Sequence, residues 1–300
     1  MAGGLQMGVR PLASMIYFRA IRAYRPANGP REWREALEVR LSVCVITHNE
    51  AANIVRTLES VKGIADEMIV VDSGSTDDTV ALARSCGAKV FVEEWKGFAQ
   101  QKNSALAKAT GDWTLSLDAD EEVSPELAAS IQALLKSGRP QPPYDGYMMA
   151  RRNLYLKRWI KRSGYYPDRK LRLVRRAVAE FEERAVHENM RVPETVGVLQ
   201  GDLIHHAYAT LDSFIEHANR YSTLGGQMAA DERPVGFSVA NIVLRPLGNF
   251  IYRYFFRLGF LDGREGLLVH LTHASYVSWK YSKAWEISKN SRDAKMAGRR

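Results

Sequence analysis

Cysteine is nearly absent. Two thiols, Cys44 and Cys86, occur in 300 residues, which argues against a disulfide-stapled secreted scaffold and points to a reducing compartment or to indifference to redox. Uninterrupted apolar runs are short as well. None reaches the roughly 18 residues that a membrane-spanning helix needs, and Pro11, Arg19, Arg22 and Arg25 interrupt the region where a secretory signal would keep its apolar stretch. The first apolar run ends in Thr47-His48-Asn49-Glu50 where a dinucleotide fold would place G-x-G-x-x-G, and no G-K-[ST] occurs anywhere. A dinucleotide oxidoreductase and a P-loop enzyme are thereby disfavoured.

What is present is a globular composition, 46% hydrophobic and 25% charged, with a net charge of +8. The charge is unevenly placed: residues 1–40 carry a net +4, residues 41–240 a net −3, and residues 241–300 a net +7. Basic flanks around a nearly neutral body suit an anionic surface, either phospholipid headgroups or nucleic acid.

From residue 41 the chain alternates short apolar runs with helix-period segments. LSVCVIT, EMIVVD, KVFVEE and WTLSLD read as strands. The segments AANIVRTLESV, DDTVALARSC, FAQQKNSALAKAT and ELAASIQALLKS read as helices, with Gly87 closing the second and Ser124-Pro125 opening the fourth. Four such alternations with short links predict a doubly wound, mostly parallel sheet, whose ligands bind beyond the carboxyl ends of the strands. After the Pro-rich 139–146 the pattern changes to shorter β segments (YDGYMMARR, RKLRLVRR, ETVGVLQ, DLIHHAY), and 210–230 and 237–290 read as helical.

The rim residues are Thr47-His48-Asn49-Glu50, Asp72-Ser73-Gly74-Ser75-Thr76-Asp77 and Asp118-Ala119-Asp120-Glu121. Ser75, Thr76 and Asp77 suit helix capping as well as binding. Asp72 and Asp118 close apolar strands and are expected to have no such local role. Asp118 and Asp120, one residue apart past a buried strand, are either two solvated loop acids or a pair of hard oxygen donors for Mg²⁺ or Mn²⁺, the ion then bracing a diphosphate leaving group.

These three rim segments, in this order, together with QKNSALAKATGDWTLSLDADEEVSPEL, resemble the donor-binding half of family 2 glycosyltransferases, which have a GT-A fold. The segments YYPDRKLRLVRR, AVHENM, IHHAY and GFLDGREGL resemble the narrower lipopolysaccharide-core glucosyltransferase branch. The resemblance implies an α/β fold of GT-A type, with residues 41–140 as the nucleotide-sugar half and 141–209 as the acceptor and catalytic half of the same domain. It further implies that Thr47, Asn49, Glu50 and Asp72 hold the base and ribose, that Lys102 and Asn103 stand near the nucleotide, and that Asp118 and Asp120 bind the metal. Glu121 completes the run with its role open.

Inverting sugar transfer needs a base for the acceptor hydroxyl. Val186-His187-Glu188 offers two, Glu188 first and His187 as the alternative. His205 and His206 are neighbours in an extended segment, so at most one faces inward; His205 is the expected third partner of the metal or the diphosphate. Residues 151–176 hold eleven Lys and Arg against one acid, Asp168, and call for an anionic counterpart: the diphosphate, a phosphorylated glycolipid or a membrane face. Arg172 is the expected active-site member of that set, and no recognition-helix or RNA-binding pattern favours nucleic acid. Within 237–261 and just beyond, Arg245, Arg253, Arg257 and Arg264 fall on one third of a helix circumference, with apolar residues on the remainder. Residues 210–300 therefore read as amphipathic helices lying in a membrane interface, and residues 1–40 as a basic extension. The activity expected is metal-dependent transfer of a hexose, from UDP-glucose, to a membrane-associated glycolipid such as lipopolysaccharide inner core, at the cytoplasmic face of the inner membrane. The alternatives are transfer to a polyprenyl phosphate, or a nucleotide-sugar-binding membrane scaffold without catalysis.

Overall fold

The computed structural model describes residues 39–136, 143–182, 189–192 and 196–297. The four expected strands and four expected helices are all present: β1 (Leu41–Thr47), α1 (Ile54–Val61), β2 (Glu67–Asp72), α2 (Thr79–Ser85), β3 (Lys89–Val92), α3 (Phe98–Lys108), β4 (Trp113–Asp118) and, beyond a short β5 (Glu121–Val123), α4 (Pro125–Leu135). Ser124 caps α4 by accepting the Leu127 N–H at 3.2 Å, with Pro125 in the first turn.

Strand alternation sorts the core. Val43 and Val45 of β1 turn with Met68 and Val70 of β2 toward Ile54, Leu58, Leu127 and Ile131 of α1 and α4. Cys44 and Ile46 turn with Ile69 and Val71 toward Ala99, Ala105 and Leu106 of α3. Both thiols are enclosed, Cys44 at 2% exposure and Cys86 at 7%, and burial pushes the Cys44 thiol up to about 12.

The remaining strands are β6 (Gly146–Tyr155), β7 (Arg158–Trp159), β8 (Asp168–Arg175), β9 (Glu180–Glu182), β10 (Asn189–Arg191) and β11 (Val196–Tyr208). They continue the same sheet in the order β3-β2-β1-β4-β8-β6-β11-β5, with β7 on β6 and a separate β9–β10 ribbon. Strands β1 to β4, β6 and β11 run one way; β5, β7 and β8 run the other. Reversal of β8 brings its first residues, Asp168 to Arg172, to the rim where the parallel strands end.

The segments expected separately at 194–200 and 202–208 form one strand. Gly201, at φ +90°, kinks it where any Cβ would lie 2.3 Å from the Leu127 backbone nitrogen, so the start of α4 packs directly on β11. Helices α5 (Leu211–Glu232), α6 (Arg245–Ile251) and α7 (Gly263–Ala297) complete the chain. The single arginine stripe expected across 245–264 does not form. Five-residue π turns at Ala240–Leu244 and Tyr252–Phe256 alter the angular step, Leu258 at φ +60° breaks the helix, and Arg264 belongs to α7. Among the described residues no helix is long and apolar enough to cross a membrane.

Candidate active site

The ends of β1 and β2 are tied into one loop system. Asp72 is buried and, contrary to the expectation from its strand-end position, shapes the backbone beside it. Its Oδ1 accepts the N–H groups of Gly74 and Ser75, both at 2.9 Å, and its Oδ2 accepts the Ser75 hydroxyl. Gly74, at φ +84°, permits that turn. Ser75 Oγ in turn accepts the Asn49 N–H at 2.8 Å, and Asn49 Oδ1 accepts the Thr76 N–H at 2.8 Å. The Glu50 N–H donates to Thr79 Oγ1 at 2.8 Å. Burial raises the Glu50 carboxyl above its ordinary range, and the charges of Asp120 and Asp77 add to this against the stabilising Asn53 amide. Within this ordered frame Thr47 Oγ1 and Ser73 Oγ are buried without a hydrogen-bond partner, as are both amide atoms of Gln101 on α3. Most buried polar atoms in proteins are hydrogen-bonded, so these are candidate contacts for a bound molecule or water.

Beside it lies a charge cluster around the end of β4. Asp118 meets Lys102 Nζ at 2.8 Å and one Arg172 nitrogen at 2.6 Å. The same Arg172 nitrogen lies 2.6 Å from Glu121 Oε1, while Glu121 Oε2 accepts the Asp118 N–H at 3.0 Å. Burial raises the Asp118 carboxyl, but Arg172 and Lys102 outweigh it and hold it well below the usual carboxylate range. Glu121, whose role the sequence left open, is the fully buried acid that closes the turn and anchors Arg172. Asn103 is committed to the backbone of Phe181, donating to its carbonyl and accepting its N–H, both at 2.9 Å, so it fastens β9 to α3.

Asp120 faces His205, with Oδ2 and Nε2 3.2 Å apart. His206 points the other way, to Glu122 at 2.8 Å, as alternation along β11 requires. Asn153, opposite His205 in the β6–β11 register, turns its amide nitrogen toward the Tyr165 carbonyl and Asp168 and its oxygen toward His205 Nδ1, at 2.8 Å. An Nδ1 proton donated to that amide oxygen would turn the Nε2 lone pair toward a carboxylate oxygen. Two acceptors in that position need a proton or a cation between them, and a metal-binding His usually has an acceptor behind its other ring nitrogen, the place the Asn153 oxygen takes here. Among the described residues no three His, Cys, Asp or Glu side chains converge as a preformed cage. The donor set that fits Mg²⁺ or Mn²⁺ here is Asp120 with His205, Asp118 being engaged by two cations.

Asp118, Asp120, Arg172 and His205 all line one cavity of about 1590 Å³. The same cavity is lined by Tyr155, Tyr165, Tyr208, His217 and Tyr221. The Tyr208 hydroxyl hydrogen-bonds His217 Nδ1, and burial, with Arg220 and His205 nearby, lowers His217 to about 4, leaving it neutral near pH 7. The sequence did not single out Asn153, Gln101, Arg151 or Asp168. Arg151 grips Asp168 at 2.9 and 2.7 Å and reaches Glu121 at 3.5 Å; the one acid among eleven cations was the available signal for that pair. The expected bases, His187 and Glu188, lie outside the described residues.

The chain is similar to several known proteins. Residues 42–185 match the family model described as glycosyl transferase family 2. An uncharacterised glycosyltransferase of Rickettsia typhi is 32% identical over 267 residues, 85% of this chain and 89% of that protein. A lipopolysaccharide core biosynthesis glycosyltransferase of Rhizobium meliloti, LpsC, is 32% identical over 262 residues, 82% of this chain and 92% of that protein. Among solved structures, a glucosyl-3-phosphoglycerate synthase of Mycobacterium tuberculosis with Mn²⁺, UDP and product is 25% identical, with a TM-score of 0.32 over 43% of this chain and 50% of that one.

Proposed function

The chain belongs to glycosyltransferase family 2, and from that premise we propose that it transfers a hexose, with inversion, from UDP-glucose to a membrane-associated glycolipid of the lipopolysaccharide core type at the cytoplasmic face of the inner membrane. The observation that carries this reading is the convergence of Asp118, Asp120, Arg172 and His205 on one rim cavity. The role named for the Rhizobium relative supports the acceptor class.

The transfer is a single displacement. The acceptor oxygen bonds to the anomeric carbon as the bond to the diphosphate oxygen breaks, and the hydroxyl proton passes to a base, assigned to Glu188 or His187. Thr47 and Ser73 offer hydroxyls to the nucleoside within the turn that Asp72 shapes. Arg172, held by Asp118 and Glu121, presents its charge and its unpartnered Nε–H to diphosphate oxygens. Asp120 and His205 would hold a divalent ion, which when bound offsets the charge of the leaving diphosphate. Lys102, through Asp118, keeps that carboxylate ionised and placed.

The test is a panel of nucleotide sugars scored by thermal stabilisation with and without Mn²⁺, followed by transfer assays on core oligosaccharide and on polyprenyl phosphate. Stabilisation by UDP-sugars, loss of transfer in Asp120→Ala with its melting temperature retained, and preference for the core acceptor are expected. Full activity in EDTA overturns the metal assignment, preference for polyprenyl phosphate overturns the acceptor, and donor binding without turnover on any acceptor leaves a scaffold.

A further inference from the structure

The segment 237–261 wears its side chains the opposite way round from a helix docked on a soluble body. Two arginines of the expected stripe are tied to neighbouring elements: Arg245, itself exposed, bonds the Tyr281 hydroxyl of α7 and lies 5.1 Å over that ring, and the half-buried Arg253 donates to the Ser163 carbonyl at 3.4 Å. The large apolar side chains are left outside, with Phe256 75% exposed and Leu244 61%, and Leu247, Phe255, Phe260 and Leu261 alongside them. Scattered exposed apolar residues are ordinary, but so many within one short segment mark a surface that something else covers.

Cations from a distant part of the chain border this segment. The loop after β7 is fixed to it by Asp262, which accepts the N–H groups of Lys161 and Arg162 at 3.2 and 2.8 Å. Ser163 adds a hydroxyl bond to the Arg253 carbonyl at 2.7 Å and an N–H bond to the Arg257 carbonyl at 3.3 Å. Lys157, Lys161, Arg162, Arg257 and Arg264 are exposed. The break at Leu258 puts Phe255-Phe256 on one side of a corner and Phe260-Leu261 on the other.

We propose that this corner is the membrane-docking surface of the protein: its apolar side chains enter the interface of an anionic bilayer while Lys157, Lys161, Arg162, Arg257 and Arg264 pair with lipid phosphates. Charge complementarity selects this occupant. A symmetric contact between two copies would bring two sets of the same cations together, whereas an anionic lipid surface neutralises them. The inference deepens the glycolipid reading but rests on its own observations.

The test is co-sedimentation of the full chain with vesicles of phosphatidylglycerol and phosphatidylcholine, and with phosphatidylcholine alone, at low and high salt. Binding to the anionic vesicles that weakens with salt is expected. Phe256→Glu, and separately Lys161→Glu with Arg162→Glu, should each cut the bound fraction about tenfold while stabilisation by UDP stays at the wild-type value. Full recovery of the wild type in the supernatant at low salt, or wild-type vesicle binding by both variants, overturns the proposal. So does a dimer in sedimentation equilibrium that Phe256→Glu converts to a monomer without any vesicle binding. Vesicle binding that persists while UDP-sugars fail to bind would sink the transferase reading and leave this surface standing.

Discussion

One guanidinium nitrogen of Arg172 meets Asp118 and Glu121 at 2.6 Å each, in a site where Arg172 and Glu121 are buried. Arg172→Met would leave those carboxylates with Lys102 and a 3.5 Å contact from Arg151. Breaking a buried pair from one side costs about 3–5 kcal/mol. The pH dependence has a definite sign. A carboxyl held below its ordinary value contributes stability above that value and loses it as pH falls through the lowered one. In the variant Lys102 alone opposes burial, so the Asp118 carboxyl moves up from its lowered value and the deficit, full at pH 7, should shrink as pH falls below the ordinary carboxyl range. Urea midpoints for both proteins at pH 7 and pH 3 check this; a deficit that does not change with pH would contradict it. Asp118 and Asp120 were legible in the sequence because they end an apolar run. The part played by Glu121 was not, because its partner comes from β8, a strand whose reversed direction no local pattern records.

At the scale of elements, the sheet is tied at the end opposite the site by Glu67. Its carboxylate accepts the Ser42 hydroxyl at 2.6 Å and the Thr110 N–H and hydroxyl at 2.6 and 2.8 Å, and pairs with Lys89 at 2.8 Å, so β1, β2, β3 and the turn before β4 share one acceptor. Burial opposes ionisation, yet Lys89 and the hydrogen-bond donors lower the carboxyl from 4.5 to about 2. Its contribution is therefore full above pH 4.5 and lost as pH falls toward 2. Glu67→Gln should cost about 1–3 kcal/mol at pH 7 and flatten the acid limb of a stability–pH profile between those values, as measured by chemical denaturation. The elements of residues 41–135 were readable because hydrophobic periodicity and cap residues agree there. The short β5 inside that span and the elements beyond residue 135 were less so. The three-residue β5 is too short to leave a period, β11 hides its continuity behind the Gly201 kink, and the π turns of 240–256 break the angular step on which the arginine stripe was reckoned.

At the scale of the molecule, the cavity that holds Asp118, Asp120 and His205 is walled also by Arg169, Lys170 and Arg220. An anionic acceptor should be drawn there through solvent, an attraction that salt screens as the Debye length falls from about 10 Å near 0.1 M to about 3 Å near 1 M. The KM for a phosphorylated acceptor is expected to rise several-fold over that range with kcat little changed, and the KM for an uncharged analogue to stay level; equal responses would remove the electrostatic role of that wall. The two enclosed cysteines have a practical corollary. Maleimide reagents find no native target on the folded protein, so Leu244→Cys would carry the sole label, and a polarity-sensitive dye attached there would report directly on whether that position leaves water.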